Sequence, residues 1–187
     1  MKTTRVIVDN NVNKIQIYTQ AVEKLKMGEV VAFPTETVYG LGAIATNEQA
    51  VAKIFEAKGR PSDNPLIVHV GESQHILKYV HEVSKKAQKC IDAFWPGPLT
   101  LILHAKPNVF APNVTAGLST VGLRMPDHPV ALELLKMLGE PVAAPSANRS
   151  GKPSPTTALH VEKDLQGRIP LILDGGATGI GLESTVV

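Results

Sequence analysis

The sequence predicts an α/β layer architecture, on three observations. Short apolar segments of strand length alternate with longer segments whose apolar residues recur at helical spacing. The loops that follow the apolar segments are rich in Pro, Gly, Ser and Thr, as expected where ligand loops gather at the strand ends of a sheet. The composition, 43% hydrophobic and 19% charged, is that of a globular chain, and 187 residues suit one domain or at most two small ones.

Taken in order, residues 5–8 read as a short strand. Ile15, Ile17, Ala21, Val22 and Leu25 place an apolar face on a helix over 15–27, with Gly28 as the glycine that ends it. Residues 30–33 form an apolar strand stopped by Pro34, and 34–42 read as a polar loop or strand-to-helix turn. A helix over 48–57 has Asn47 as its cap and Gly59 just past its end. Residues 66–70 read as a buried strand, and two helices follow near 73–80 and 84–94. Trp95-Pro96-Gly97-Pro98 is a hard break. Strands are expected at 100–103 and 121–124. The helix over 130–138 is entered through Pro129 and closed by Gly139. A strand fragment at 142–144 precedes a helix over 156–165, with Ser154 as N-cap and Pro155 at its first position. The strand at 169–173 ends at Asp174-Gly175-Gly176, and the closing LESTVV reads as the opening of one more.

Several function classes are disfavoured by composition. A net charge of +2, from 19 Lys plus Arg against 17 Asp plus Glu, is too mild to announce a nucleic-acid binder. Aromatics at 4% leave few stacking platforms for single strands. Cys90 is the only cysteine, so neither an internal disulfide nor a cysteine-rich zinc site can form, and a reducing cytoplasm is the expected setting. The start, MKTTRVIVDNN, lacks the apolar run of a signal peptide, and no stretch approaches the ~18 apolar residues that span a bilayer.

Four loops could carry chemistry. Residues 34–42, PTETVYGLG, offer two hydroxyls, a carboxylate, a phenol and two glycines, without the spacing of a phosphate loop or dinucleotide fingerprint. They serve either a ligand or a turn whose polar groups satisfy one another. In EAKGRPSDNPLIVHV, at 56–70, Lys58 and Arg60 flank Gly59 near Asn64. Two cations converging there would suit a polyanion such as a triphosphate, the alternative being a solvated loop. His69 faces opposite to Val68 and Val70 on its strand. In TAGLSTVGLR, at 115–124, Arg124 sets a charge at a strand mouth. In AAPSANRSGKPSP, at 143–155, Ser146, Asn148, Ser150 and Ser154 supply short hydroxyl and amide groups suited to sugars and phosphates. No metal-ligand spacing and no nucleophile elbow is present.

Together with WPGPLT at 95–100, APSANRSGKPSPT at 144–156 and DGG…GLESTVV at 174–187, these stretches closely resemble the threonylcarbamoyl-AMP synthase family, built on the YrdC-like domain. The family's Lys-x-Arg…Ser-x-Asn signature stands here as Lys58, Arg60, Ser146 and Asn148. The resemblance implies a twisted mixed β-sheet with surrounding helices, folded over a large basic cavity. It implies synthesis of threonylcarbamoyl-AMP and pyrophosphate from L-threonine, bicarbonate or CO2 and ATP. A separate complex would pass the threonylcarbamoyl group to tRNA.

Carried over by position, L-threonine would meet Thr37, His69, Arg124, the backbone at Ala144, and Ser184. ATP would meet Lys58, Arg60, Asn64, Thr120, Ser146, Asn148 and Ser154, with Lys58 and Arg60 as the catalytic cations. Mg2+ would ride on the ATP phosphates without a protein cage. The resemblance also implies that residues 1–187 are the YrdC-like catalytic domain of a longer two-domain member, with a linker and second domain beyond them. A double-stranded RNA or tRNA-binding module is the rival reading. A third is the YrdC-like domain of hydrogenase-maturation carbamoyltransferases, whose zinc-finger and acylphosphatase regions have no counterpart here.

Overall fold

The computed structural model describes residues 1–9 and 14–187. Its strands are β1 (Thr4–Ile7), β2 (Val31–Pro34), β3 (Tyr39–Ile44), β4 (Ile67–His69), β5 (Leu99–His104), β6 (Thr120–Arg124), β7 (Val142–Ala143), β8 (Leu171–Asp174) and β9 (Thr185–Val186). They form a nine-stranded mixed sheet in the order β1-β8-β2-β3-β7-β4-β6-β5-β9. The helices are α1 (Lys14–Lys26), α2 (Glu48–Lys58), α3 (Lys85–Phe94), α4 (Pro112–Thr115), α5 (Pro129–Leu138) and α6 (Ala158–Leu165).

Strand alternation divides the interior into two layers. Val31, Phe33, Leu171 and Leu173 point to one face, where Tyr18 and Leu25 of α1 and Leu134 of α5 pack on them. Ala32, Leu41 and Ile172 point to the other, against Ile54 of α2 and Val161 and Leu165 of α6. The period of two along each strand does this sorting. The α/β expectation therefore holds, with helices on both faces of a mixed sheet.

Strand β3 lies where the sequence reads as a polar loop. It pairs antiparallel with β2, Phe33 opposite Gly40 and Val31 opposite Gly42. Its glycines serve close packing. A Cβ at Gly42 would lie 2.7 Å from both Phe33 and Val142 side chains. Only a bare backbone fits there, and that same bareness hides the strand from propensity.

Other elements differ in detail. The helix that the sequence predicts near 73–80 is a 3-10 helix, Ser73–Lys78. The cap of α6 is Thr157, whose side chain accepts from the His160 amide, so Ser154 and Pro155 stand outside the helix. The short helix α4 has no counterpart in the sequence expectations. Asn47 caps α2 as expected, accepting from the Ala50 amide, and Gly59 closes it at φ 65°. A left-handed residue suits glycine there.

Candidate active site

The central strands bring four loops to one mouth. Pairing of β4 with β6 puts His69 opposite Arg124, so the sheet register itself makes these two neighbours. Thr35 and Thr37 come from the β2–β3 turn, Arg60 from the loop after α2, and Ser146 from the loop after β7. These six side chains line a cleft of about 210 Å³.

Arg124 is only 4% exposed. Its guanidinium pairs with the Glu36 carboxylate, Nη1 donates to Thr37 Oγ1 at 3.2 Å, and Nε donates to the Gly97 carbonyl at 3.2 Å. The other Glu36 oxygen accepts from the Asp127 amide at 2.6 Å. Burial lowers the Arg124 pKa and the Glu36 carboxylate opposes that shift. A guanidinium has five N–H groups, so two remain for a ligand.

His69 is buried, with its ring edge-on to Phe33 at 6.4 Å between centroids. Its Nδ1 has no hydrogen-bond partner. Burial, and secondarily the Arg124 cation, push its pKa down to about 3. The imidazole is therefore neutral at physiological pH. The unfolded chain binds a proton at this histidine near pH 6.5 and the folded chain resists it to about pH 3. Stability from His69 is thus present above pH 6.5 and declines as pH falls through that window, by about 2 kcal/mol at pH 5. Replacing His69 with Gln should flatten the fall in melting temperature between pH 7.5 and 5; an unchanged slope would refute the assignment.

Lys58 is the last residue of α2 and is 3% exposed. Its ammonium turns inward, donating to the carbonyls of Ser146 and Asn148 (2.8 Å for the latter) and to Asn148 Oδ1 at 3.2 Å. All three of its donors are thereby spent on the 146–148 loop. Asn148 in turn donates to the Arg149 and Lys152 carbonyls at 2.9 and 2.7 Å. Burial first, then the Arg60 charge, lower the Lys58 pKa to about 8 against the pull of Asp164.

Arg60 behaves differently. It is half-buried at the cleft wall, its Nη2 reaches only the Pro65 carbonyl at 3.3 Å, and its Nε is unpartnered. Burial lowers its pKa and Asp63 opposes the shift.

The end of the chain crosses the mouth. Ile180 and Gly181 amides donate to the Glu36 and Thr37 carbonyls at 3.1 and 2.9 Å, and β9 pairs with β5. Ser184 Oγ meets Thr100 Oγ1 at 2.7 Å, and Ser154 donates to the Glu183 carboxylate.

Of the residues singled out by sequence, Thr37, Arg60, His69, Arg124, Ala144, Ser146 and Ser184 line the cleft. The Ala144 amide is committed to the Ile67 carbonyl at 3.0 Å. Lys58 and Asn148 lie behind the wall, and Asn64 is exposed on the loop that follows Arg60. Thr120 sits four residues before Arg124 on β6, opposite His104. Ser154 borders an adjoining cleft with Lys152, His160 and Lys163. Sequence reasoning gave Thr35 and Glu36 no individual role and passed over Glu183, which also lines the cleft. A signal for Glu36 existed: a strand-end arginine that becomes buried needs a carboxylate.

Chemically, the cleft offers two guanidinium groups, hydroxyls and a neutral imidazole, beside one carboxylate, Glu183, that accepts from Ser154. That equips it to hold and align anions. Among the described residues no group of three or more His, Cys, Asp and Glu could hold a metal ion, and no helix is long and apolar enough to cross a membrane.

Known proteins match this chain over nearly all of its length. A family model named Sua5/YciO/YrdC, described as "Telomere recombination", matches residues 23–187. The chain is 59% identical over 191 aligned residues to threonylcarbamoyl-AMP synthase of Bacillus subtilis, covering 100% of this chain and 55% of that protein. It is 54% identical over 163 residues to threonylcarbamoyl-AMP synthase of Pyrococcus abyssi, covering 87% of this chain and 48% of that protein. The crystal structure of P. abyssi Sua5 complexed with L-threonine superimposes with a TM-score of 0.94 at 49% identity, over 98% of this chain and 54% of that one. The chain thus spans about half the length of these relatives.

Proposed function

Because the chain belongs to the Sua5/YciO/YrdC family, we propose that it forms threonylcarbamoyl-AMP and pyrophosphate from L-threonine, bicarbonate or CO2, and ATP. Residues 1–187 would be the catalytic unit, working in the cytoplasm and supplying the complex that modifies tRNA. The observation that carries this reading is the pairing, across one cleft, of a braced Arg124 beside neutral His69 with the freer Arg60.

The chemistry asks for such a site. The threonine amine adds to the carbon of CO2 and releases a proton, giving a carbamate. A carbamate oxygen then attacks the α-phosphorus, and the bond to the bridging oxygen breaks as pyrophosphate leaves. Attacker and target are both anionic, so positioning and charge compensation supply most of the catalysis. Arg124 has two N–H groups to offer the threonine carboxylate, and Arg60, with one long bond to the Pro65 carbonyl, has its remaining N–H groups for phosphate. Ser146 contributes its hydroxyl at the same wall. Mg2+ would arrive with ATP, held by phosphate oxygens and water. Lys58 would serve ATP through the loop it braces, with Asn148 part of the same brace.

Incubating the protein with ATP, bicarbonate and each amino acid, then measuring pyrophosphate and the acyl-adenylate mass, tests the reading. Threonine alone should support product. Pyrophosphate release indifferent to the amino acid would overturn it. Tight, salt-sensitive tRNA binding without ATP turnover would favour an RNA-binding module instead.

A further inference from the structure

The hydroxyl network of the β2–β3 turn leads to a residue with no role so far. We infer that Thr35 is a positioning residue that fixes the hydrogen-bond polarity of Thr37, so that Thr37 Oγ1 presents a lone pair to the substrate's α-amine. The inference rests on the threonine-activating reading above and goes one step further into the same site.

The polarity follows from counting protons. Arg124 can only donate, so Thr37 Oγ1 accepts from Nη1 at 3.2 Å. The Thr35 hydroxyl has one proton, and its shortest contact, 2.7 Å, is to the Val38 carbonyl, which can only accept. Thr35 Oγ1 is therefore the acceptor in its 2.9 Å contact with Thr37 Oγ1, and Thr37 spends its own proton there. The Thr37 and Val38 amides also aim at Thr35 Oγ1, at 3.2 and 3.3 Å, consistent with an oxygen that accepts. Both threonines are buried, at 2% and 0% exposed, so water does not offer the protons another outlet. The chain of donors runs Arg124 to Thr37 to Thr35 to the Val38 carbonyl. One lone pair on Thr37 is left over.

A group that only accepts selects a donor. Nη1, which holds Thr37, and Nη2, which pairs with Glu36, each keep one N–H for a carboxylate, and an α-amine lies one carbon away from its carboxylate. An N–H held by Thr37 turns the amine lone pair away from the wall, toward where CO2 must arrive. Were the Thr35 hydroxyl missing, the Thr37 proton would have no protein acceptor in the network and would turn to the substrate. Donor would then face donor.

The test compares Thr35→Val with Thr35→Ser. Valine keeps the shape and removes the oxygen; serine keeps the oxygen. In threonine-dependent pyrophosphate release, Thr35→Val should raise the KM for threonine about tenfold, the loss expected for one buried hydrogen bond of about 1.4 kcal/mol. The KM for ATP should stay close to wild type, while the melting temperature should fall by about 2–10 °C, because the Thr37 and Val38 amides lose their acceptor. Thr35→Ser should restore the threonine KM to within about twofold. If the valine protein does not fold, Thr35→Cys, the sulfur analogue of the serine variant and a weak hydrogen-bonding group, carries the same expectation measured against Thr35→Ser. A threonine KM unchanged in Thr35→Val, a parallel rise in both KM values, or no rescue by serine overturns the inference while leaving the function standing. A wild-type protein without threonine-dependent turnover would remove the function and this inference with it.

Discussion

Arg124→Gln is expected to abolish threonine-dependent turnover and to destabilise the fold. Two effects combine. On the proposed role, the threonine carboxylate would lose a partner with two N–H groups, and the amine the anchor from which it is aimed. Glu36, 14% exposed at its side chain, is left as an uncompensated carboxylate beside a vacated pocket. Removing one partner of a buried pair costs about 3 kcal/mol or more, a fall of roughly 6–12 °C in melting temperature for a chain of this size. The double variant Glu36→Gln, Arg124→Gln separates the effects. Its neutral side chains carry no stranded charge, so it should recover most of the lost melting temperature and none of the activity. Thermal unfolding and pyrophosphate release on the three proteins decide it. A double variant as unstable as the single one would show that the ion pair is not where the stability lies.

Arg60→Ala is expected to leave stability nearly unchanged and to remove most of the activity. Its single long bond to the Pro65 carbonyl and its unpartnered Nε mean that truncation strands no protein group. The melting temperature should move by no more than a degree or two, because a partly exposed and unpaired charge contributes little to the fold. Activity should fall by about 10³-fold, the scale for losing one group that compensates developing negative charge. The buried, unpartnered Nε of Arg60 is a cost that the resting fold carries, and a bound anion would relieve it. Wild-type turnover in this variant would remove Arg60 from the phosphate-binding role.

How much of this was legible before folding depends on the range of the cause. Local signals carried far. The caps Asn47 and Gly59, the Pro129 entry and Gly139 exit of α5, and the short apolar strands all act within a few residues. Errors arose where a distant neighbour decides. Gly42 is glycine because of Phe33 and Val142, so a strand resembled a loop. Ser154 looked like a cap, but its hydroxyl goes to Glu183, 29 residues on. Lys58 and Arg60 are two residues apart in sequence, yet one anchors a loop and the other faces the cleft. The helix ends between them, and its last side chain still points along the helix surface into the core. The site's polar inventory was visible in four loops. The division of that inventory into ligand-facing and load-carrying groups was not, because it depends on which side chains are buried.

The strand order carries one consequence for how the chain is made. Strands β1 and β2 do not touch; β8, from Leu171–Asp174, lies between them and pairs in parallel with both. During synthesis on a ribosome, the first strand has no partner until more than 160 further residues have emerged, and β2 keeps one edge open for nearly as long. Loop closure over such a span is slow, and an open edge is a template for other chains. The nascent protein must therefore shelter the N-terminal end of its sheet until β8 has emerged, and its cleft, drawn from residues 35 to 184, comes together only after that wait.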